Sequence, residues 1–497
     1  MSLGRRRDRS LPLVARVFRR TGDSRNEPSR RPPPPAEAAV FASLSRRQFL
    51  EAAGALALAA GCAKGPQRGQ TPWGLTPSGI LVNDLHSGLN ETRVARRIEV
   101  DGLGALHAAL HEARAAGLPI SVSGGLHAGG GQQFCAGALH LDTRRMARVL
   151  GFDRRTGIVK VETGILWPDL VGWLLREQEG KPEPWTIVQK QAGSDRMTIG
   201  GTLSANAHGD GLALRSVIDD VDSITLLDAN GGFRHASRTE NRELFRLTIG
   251  GFGLFGVIYS ARLRLARRRR LARVVETIPA RAVVASLEGA VRNGCFYGAC
   301  DLDTSDPGSL FRKATLIAYR PVTDPAAGEV LWSDTRQLVG PLDVTRDAID
   351  PSTTRSMTEV CVPRDGLTGL LDECASGFRD PGIRLIAAGV RLIERDQESF
   401  LAWARESWAC VTFDVAAPRT AEGAASLAET TRRLVEAART RGGTFLLSHQ
   451  RAATPEQLRA CYPQFPEFVR LKQRHDPADR FQSEWYRHYR HVGSGPL

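Results

Sequence analysis

The stretch that most restricts how this chain can fold is residues 119–142, PISVSGGLHAGGGQQFCAGALHLD. A short apolar strand at 119–122 runs into five glycines within eight residues, with His127 set among them. Glycine permits φ > 0 and lets backbone N–H groups come close to a ligand, as a loop around a diphosphate requires. A plain glycine-rich turn between strands satisfies the same pattern, and this segment alone does not separate the two. The segment 198–211, TIGGTLSANAHGDG, repeats the combination of small residues, paired glycines and a histidine, His208. Two such loops in one chain point to a nucleotide site.

With three further segments and a closing one, the pair resembles the FAD-binding domain of the vanillyl-alcohol oxidase and p-cresol methylhydroxylase superfamily. That family's first loop reads roughly G-G-x-H-S after a strand, and its second S-x-G-G with a later H-G. The further matches come in order: VETGILW at 161–167, VDSITLLDANG at 221–231 and ELFRLTIGGFGLFGVIYSARLRL at 243–265. LKQRHDPADRFQSEWY at 471–486 is similar to the family's terminal K-x-x-x-D-P-x-x-x-F. The likeness covers about residues 98–264 and the last thirty or so.

The resemblance implies an α+β fold: a PCMH-type FAD-binding domain of two α+β subdomains, then a substrate domain with an antiparallel sheet backed by helices. It implies FAD held by Ser123, Gly124, Gly125, Leu126, His127, Ala128 and Gln132 of the first loop. Around the second loop it implies Gly193, Ser194, Ile199, Gly200, Gly201, Ser204, Asn206, Ala207, His208 and Gly209, and later the backbone near Ile258. His127 stands where many relatives join the flavin 8α-methyl to a histidine nitrogen, so a covalent link is expected there. Ala128, where the family has serine, is a departure. The bicovalent subgroup's second, cysteinyl link has no counterpart, because 189–199 contains no cysteine.

The 497 residues divide into a basic preface and export signal at 1–62, a linker at 63–85, an FAD-binding domain at 86–270, a substrate domain at 271–455, and a tail at 456–497 returning to the FAD domain. The first 44 residues are basic and Pro-rich with no apolar periodicity, and are expected to be disordered. Ser45-Arg46-Arg47-Gln48-Phe49-Leu50, the apolar run 52–60 and Gly61-Cys62 have the layout of a twin-arginine export signal. The run falls well short of the ~20 residues of a transmembrane helix. Export by the twin-arginine machinery to a periplasmic or extracytoplasmic site is expected, with Cys62 a candidate lipid anchor. The preface is long for such a signal, and a start downstream near Val40 would remove it.

Net charge is +13, but residues 1–60 hold twelve arginines and five acids, +7, leaving 13 − 7 = +6 for the rest. Without a basic and aromatic stripe to track phosphates, nucleic acid is not an expected partner. The one dense patch, Arg267–Arg270 with Arg273, reads as a solvated junction between domains. None of the eight cysteines forms a Cys-x-x-Cys pair, which argues against zinc; Cys295 and Cys300 are the nearest pair in sequence. His107 and His111 lie one turn apart on a helix predicted over 100–117, with no glutamate between them and no third ligand, so no metal is expected. Gly251-Phe252-Gly253-Leu254-Phe255-Gly256 spells a dinucleotide fingerprint, yet a strand rather than a helix follows it, so the Rossmann reading is rejected.

Gly389-Val390-Arg391 looks like the Glu-x-Arg segment of the sugar-alcohol and aldonolactone oxidases, with glycine in place of glutamate. Ser448-His449-Gln450-Arg451 falls where those relatives carry His-Trp-Gly-Lys. Arg391, His449, Arg451 and, more weakly, Glu359 are therefore the candidate catalytic residues. The expected activity is oxidation of a polar alcohol, polyol or sugar-derived donor, with oxygen or another carrier as electron acceptor. Oxidation of an aromatic alcohol or amine, or a flavin-binding partner without catalysis, are the alternatives.

Overall fold

The computed structural model describes residues 79–191, 194–322, 330–334, 352–378 and 382–493. The export signal, the candidate lipid anchor Cys62 and Gly193 lie outside the described residues. The last part of the stretch read as a linker is ordered: Ile80–Val82 pairs antiparallel with Thr92–Val94. Among the described residues no helix is long and apolar enough to cross a membrane.

Residues 119–142 enter a three-stranded parallel sheet in the order Arg96–Glu99, Leu139–Asp142, Ile120–Ser123. Parallel neighbours need a crossover, and Leu103–Ala115 supplies it as a helix burying Leu106, Ala109, Leu110 and Ala113. His107 and His111 point away from that face and are exposed. A six-stranded sheet follows in the order Phe233–Ser237, Val221–Leu227, Val257–Arg267, Ile158–Glu162, Val149–Asp153, with Trp185–Ile187 paired to the far end of the central strand. The glycines that spell the fingerprint form a turn, with Gly253 at φ 75° and Gly256 at φ 139°, and feed the eleven-residue strand Val257–Arg267.

Arg270 begins the next sheet almost at once. Its eight antiparallel strands run Val330–Trp332, Arg270–Pro279, Lys313–Pro321, Tyr297–Leu302, Arg384–Ile393, Trp408–Pro418, Thr353–Pro363, Thr444–Phe445. The helices Val283–Arg292, Leu367–Gly377 and Ala421–Arg439 pack on it. Trp408–Ala417 is buried throughout, as a central strand covered on both faces must be. The junction arginines are not simply solvated: Arg267 lies 3.7 Å over the Trp185 ring, Arg268 4.2 Å over Trp332 and Arg269 4.2 Å over Phe296. Two nearly continuous strands bring those rings alongside, and a guanidinium stacks on an aromatic face while keeping its charge wet.

The disulfide joins Cys361 to Cys410, while Cys295 and Cys300 are free. The first two stand directly opposite on neighbouring strands. Five residues of separation place Cys295 in the turn before a strand and Cys300 within it, so proximity in sequence gives no facing sulfurs.

Candidate functional site: a cavity between two glycine-rich loops

The two loops touch because the first lacks side chains. A Cβ on Gly124 would lie 2.0 Å from Thr198 Oγ1, and one on Gly125 would lie 2.1 Å from the Arg196 carbonyl oxygen. Thr198 is the N-cap of the short helix Ile199–Ala205, its Oγ1 accepting the Gly201 N–H at 3.1 Å. Leu126, at φ 64°, takes a left-handed turn that costs about 1–3 kcal/mol in a side-chain-bearing residue and immediately precedes His127.

Between the loops runs a cavity of about 1570 Å³, counted out to its open mouth. Ser123, Gly124, Gly125, Leu126, His127, Ala128 and Gln132 line it, as do Gly200, Gly201, Ser204 and Ile258. Ser356 and Met357 of the eight-stranded sheet line it too, with Ser448, His449 and Gln450. Ile199, Asn206, Ala207, His208 and Gly209 are absent from the lining. Ile199 is buried, with its N–H bonded to the Ile165 carbonyl at 3.0 Å. The Asn206 side chain donates to Asp396 at 2.8 Å and Ser399 at 3.1 Å, tying the second loop to the later domain. Ala207 is buried, its N–H bonded to the Thr202 carbonyl at 3.1 Å. A Cβ on Gly209 would lie 2.7 Å from the Lys190 carbonyl oxygen. Ser194 begins a short 3₁₀ turn, Ser194–Arg196.

Of the four catalytic candidates, His449 alone lines the cavity. Arg391 is ion-paired with Asp210, and its Nη1 donates to Thr412 Oγ1 at 3.2 Å. Arg451 Nη1 donates to Asn90 Oδ1 at 3.1 Å and to the Gly130 carbonyl at 2.9 Å, clamping the first loop from outside. Glu359 is buried, and its Oε1 lies 2.8 Å from His208 Nε2. Burial opposes both charges, but each outweighs it for the other: the Glu359 carboxyl is held well below its ordinary range and the His208 imidazole above its own. The pair is thus a buried imidazolium–carboxylate, with His449 Nε2 4.0 Å from the second Glu359 oxygen.

Three imidazole nitrogens on this cavity, Nε2 of His86, His127 and His449, are sealed from water and have no hydrogen-bond partner. For His127, burial followed by the fields of His86 and Arg196 pulls the pKa down to about 4, leaving a neutral ring. Sequence reasoning placed His449 and His127 here but missed His86, together with Arg196, Phe252, Ser356, Met357 and Gln450. A signal for His86 existed in Asn83-Asp84 and Asn90, the residues that bend a chain by bonding their own backbone. Glu359, Cys361 and Cys410 offer the one metal-like grouping among the described residues, but the two sulfurs are bonded to each other and cannot act as thiolate ligands.

The cavity is roomy enough to take a cofactor. Backbone of both glycine-rich loops lines it, together with His86, His127 and His449. Residues 96–237 match the family described as FAD binding domain. An uncharacterized oxidoreductase of the fasciation locus of Rhodococcoides fascians is 35% identical over 162 residues, 32% of this chain and 34% of that protein. A mitochondrial L-galactono-1,4-lactone dehydrogenase of Oryza sativa subsp. japonica is 30% identical over 197 residues, 38% of this chain and 32% of that protein. The match thus spans about a third of each relative's length. The crystal structure of 6-hydroxy-D-nicotine oxidase from Arthrobacter nicotinovorans superposes with a TM-score of 0.60 at 16% identity, covering 85% of this chain and 99% of that one, which shows a shared fold.

Proposed function

We propose that this protein is an FAD-dependent oxidoreductase acting on a polar alcohol, polyol or sugar-derived donor, on the strength of the match of residues 96–237 to the family described as FAD binding domain. One observation carries this reading: a single cavity runs from the two glycine-rich loops to unpartnered imidazoles contributed in part by the other domain. When bound, FAD supplies a two-electron acceptor. The chain's own residues would hold it and prepare the donor. Gly124, Gly125, Gly200 and Gly201 line the cavity and would hold the cofactor through their backbone, with Ile258 and Phe252 as further wall residues. His127 offers a neutral Nε2, the state that attachment to the ring needs. His449 faces the donor end, where Ser356 and Met357 close the space. Behind them the His208–Glu359 and Arg391–Asp210 pairs fix two buried charges of each sign in water-poor surroundings, where their field is strong.

We also propose that the chain is exported by the twin-arginine route, on the strength of the Arg46-Arg47 signal. Mass spectrometry of the mature N-terminus tests this, and a mature chain beginning at Met1 would exclude it.

The test of the main reading is anaerobic. The purified yellow protein is mixed with a panel of polyols and aldonolactones and, separately, with phenolic alcohols and amines, and loss of visible absorbance is followed. Bleaching by the first panel supports the proposal, and bleaching by the second alone moves the donor to aromatic alcohols or amines. Flavin that stays bound and unbleached by every donor would make this a flavin-binding partner protein instead.

A further inference from the structure

The loop 83–90 is built to present one side chain. Asp84 Oδ1 accepts the backbone N–H groups of His86 at 3.0 Å, Gly88 at 3.2 Å and also Ser87, while Oδ2 accepts from Asn90 Nδ2 at 2.9 Å. Asn83 Oδ1 accepts the N–H groups of Asp84 at 2.9 Å and Asn90 at 3.0 Å. The loop is fastened to the first glycine-rich loop by Leu85 N–H to the Leu126 carbonyl at 2.9 Å and by Asn90 Nδ2 to the Gly129 carbonyl at 2.6 Å. It is fastened to the other domain by Thr354 Oγ1 to the Ser87 carbonyl at 2.6 Å and by Gln450 Nε2 to Ser87 Oγ at 3.1 Å. Asn83, Asp84, Ser87 and Asn90 are all spent on this scaffold. His86 is the exception: it lines the cavity, and its buried Nε2 has no hydrogen-bond partner in the protein.

The groups facing His86 are Asp84 from its own loop, Asp414 and Arg355 from the eight-stranded sheet, His449, and His127. Neither carboxylate is available to it. Asp84 is committed to backbone N–H groups, and Asp414 accepts from Arg355 Nε at 2.7 and 2.8 Å. Burial, against the pull of Asp414 and Asp84, holds the ring below the ordinary histidine range, so it is neutral at pH 7. His449 differs in having a Glu359 oxygen 4.0 Å away. A buried nitrogen left unpaired is unfavourable, and a donor's O–H or N–H would remove that penalty on binding.

Resting on the oxidoreductase reading above, we propose that His86 is a catalytic residue whose Nε2 takes the proton of the donor's hydroxyl or amino group. The donor's O–H or N–H bond breaks, an Nε2–H bond forms, the bonding pair stays on the donor heteroatom, and the ring passes from neutral to a single positive charge. Asp84 and Asn83 act as positioning residues, through the loop.

The test uses full-length FAD-loaded protein, with His86→Gln and His86→Ala set against His449→Gln. The visible spectrum of the bound flavin is titrated between about pH 4 and 8 with no donor present. A transition below the usual histidine range is expected in the wild type, lost in both His86 variants and kept in His449→Gln. Anaerobic bleaching by sorbitol and by vanillyl alcohol is then timed. His86→Gln is expected to keep its flavin and melting temperature while bleaching about 10²-fold more slowly or worse, without the wild-type acid limb. Wild-type bleaching rate and pH limb in His86→Gln would overturn the assignment and leave the oxidoreductase reading intact. A wild type bleached by neither of these nor by any other donor of the two panels, yet showing the His86-dependent transition, would sink that reading and the proton transfer with it. No transition in the wild type would overturn the placing of His86 on the cavity that holds the flavin.

Discussion

Replacing Gly125 with alanine should separate the two glycine-rich loops and cost the protein its cofactor. The added Cβ would meet the Arg196 carbonyl oxygen at 2.1 Å, whereas ordinary contact begins at 3.4 Å, so the loops must part by 3.4 − 2.1 = 1.3 Å. The obstructing atom is backbone and cannot rotate aside, and Arg196 and Thr198 sit at the start of the short helix that the second loop forms. Overpacking of this kind costs about 1–3 kcal/mol, and with backbone on the opposing side we take ~3. If that strain is relieved only by opening the cavity, FAD affinity falls by about 10²-fold, since each 1.4 kcal/mol is tenfold. The assay is flavin content after purification, then titration of stripped protein with FAD. Gly104→Ala is the control: nothing lies within 4 Å of its Cβ, and in the exposed helix Leu103–Ala115 it should leave flavin binding alone and gain up to ~1 kcal/mol. Gly125→Ala that takes up FAD with wild-type affinity would refute the claim that these loops need direct backbone contact.

Three further outcomes are expected. Glu359→Gln leaves His208 without its counter-charge and should destabilise by about 3 kcal/mol, measured by denaturant unfolding. In the wild type, Glu359's depressed pKa gives stability that is lost as pH falls below about 4.5, and His208's raised pKa gives stability that is lost as pH rises past about 6.5; the variant's pH–stability curve should be flatter at both ends. Removing the disulfide by Cys361→Ala with Cys410→Ala opens a loop of sequence separation 49 and should cost up to ~4 kcal/mol on the chain-entropy estimate, with an unchanged melting temperature ruling that out. His127→Ala should release all flavin into the supernatant on acid precipitation, where wild-type protein with a covalent link keeps its colour in the pellet.

The FAD-binding half was legible because its constraints are local. Close backbone approach demands glycine at fixed places, and those glycines stand in the sequence as 124, 125, 200 and 201. The helix 103–115 announced itself by periodicity, and the strand after Gly256 by its β-branched start and alternating pattern. The donor end was harder to read, since its walls come from sheet positions and loops far apart in sequence. Arg391 and Glu359, read from short segments, are spent on ion pairs with Asp210 and His208, partners that appear only once strands from different regions are side by side. His86 was overlooked because a lone histidine after a Gly/Pro-rich stretch carries no periodic signal; its importance comes from the bonds of its neighbours.

The tail has a consequence for how the protein is made. Residue 481 lies alongside Ile120 at the edge of the parallel sheet, the Ile120 N–H donates to the Arg480 carbonyl at 2.6 Å, and Ala136 N–H donates to Glu484 Oε1 across 348 positions of sequence. Contacts that distant form late, after the entropy of closing a very long loop has been met. During synthesis the first glycine-rich loop would emerge early and gain these partners only after residues 480–484 have been made. A chain cut short before residue 480 would keep every glycine of both loops yet lose the partners that Ile120 and Ala136 find in the tail.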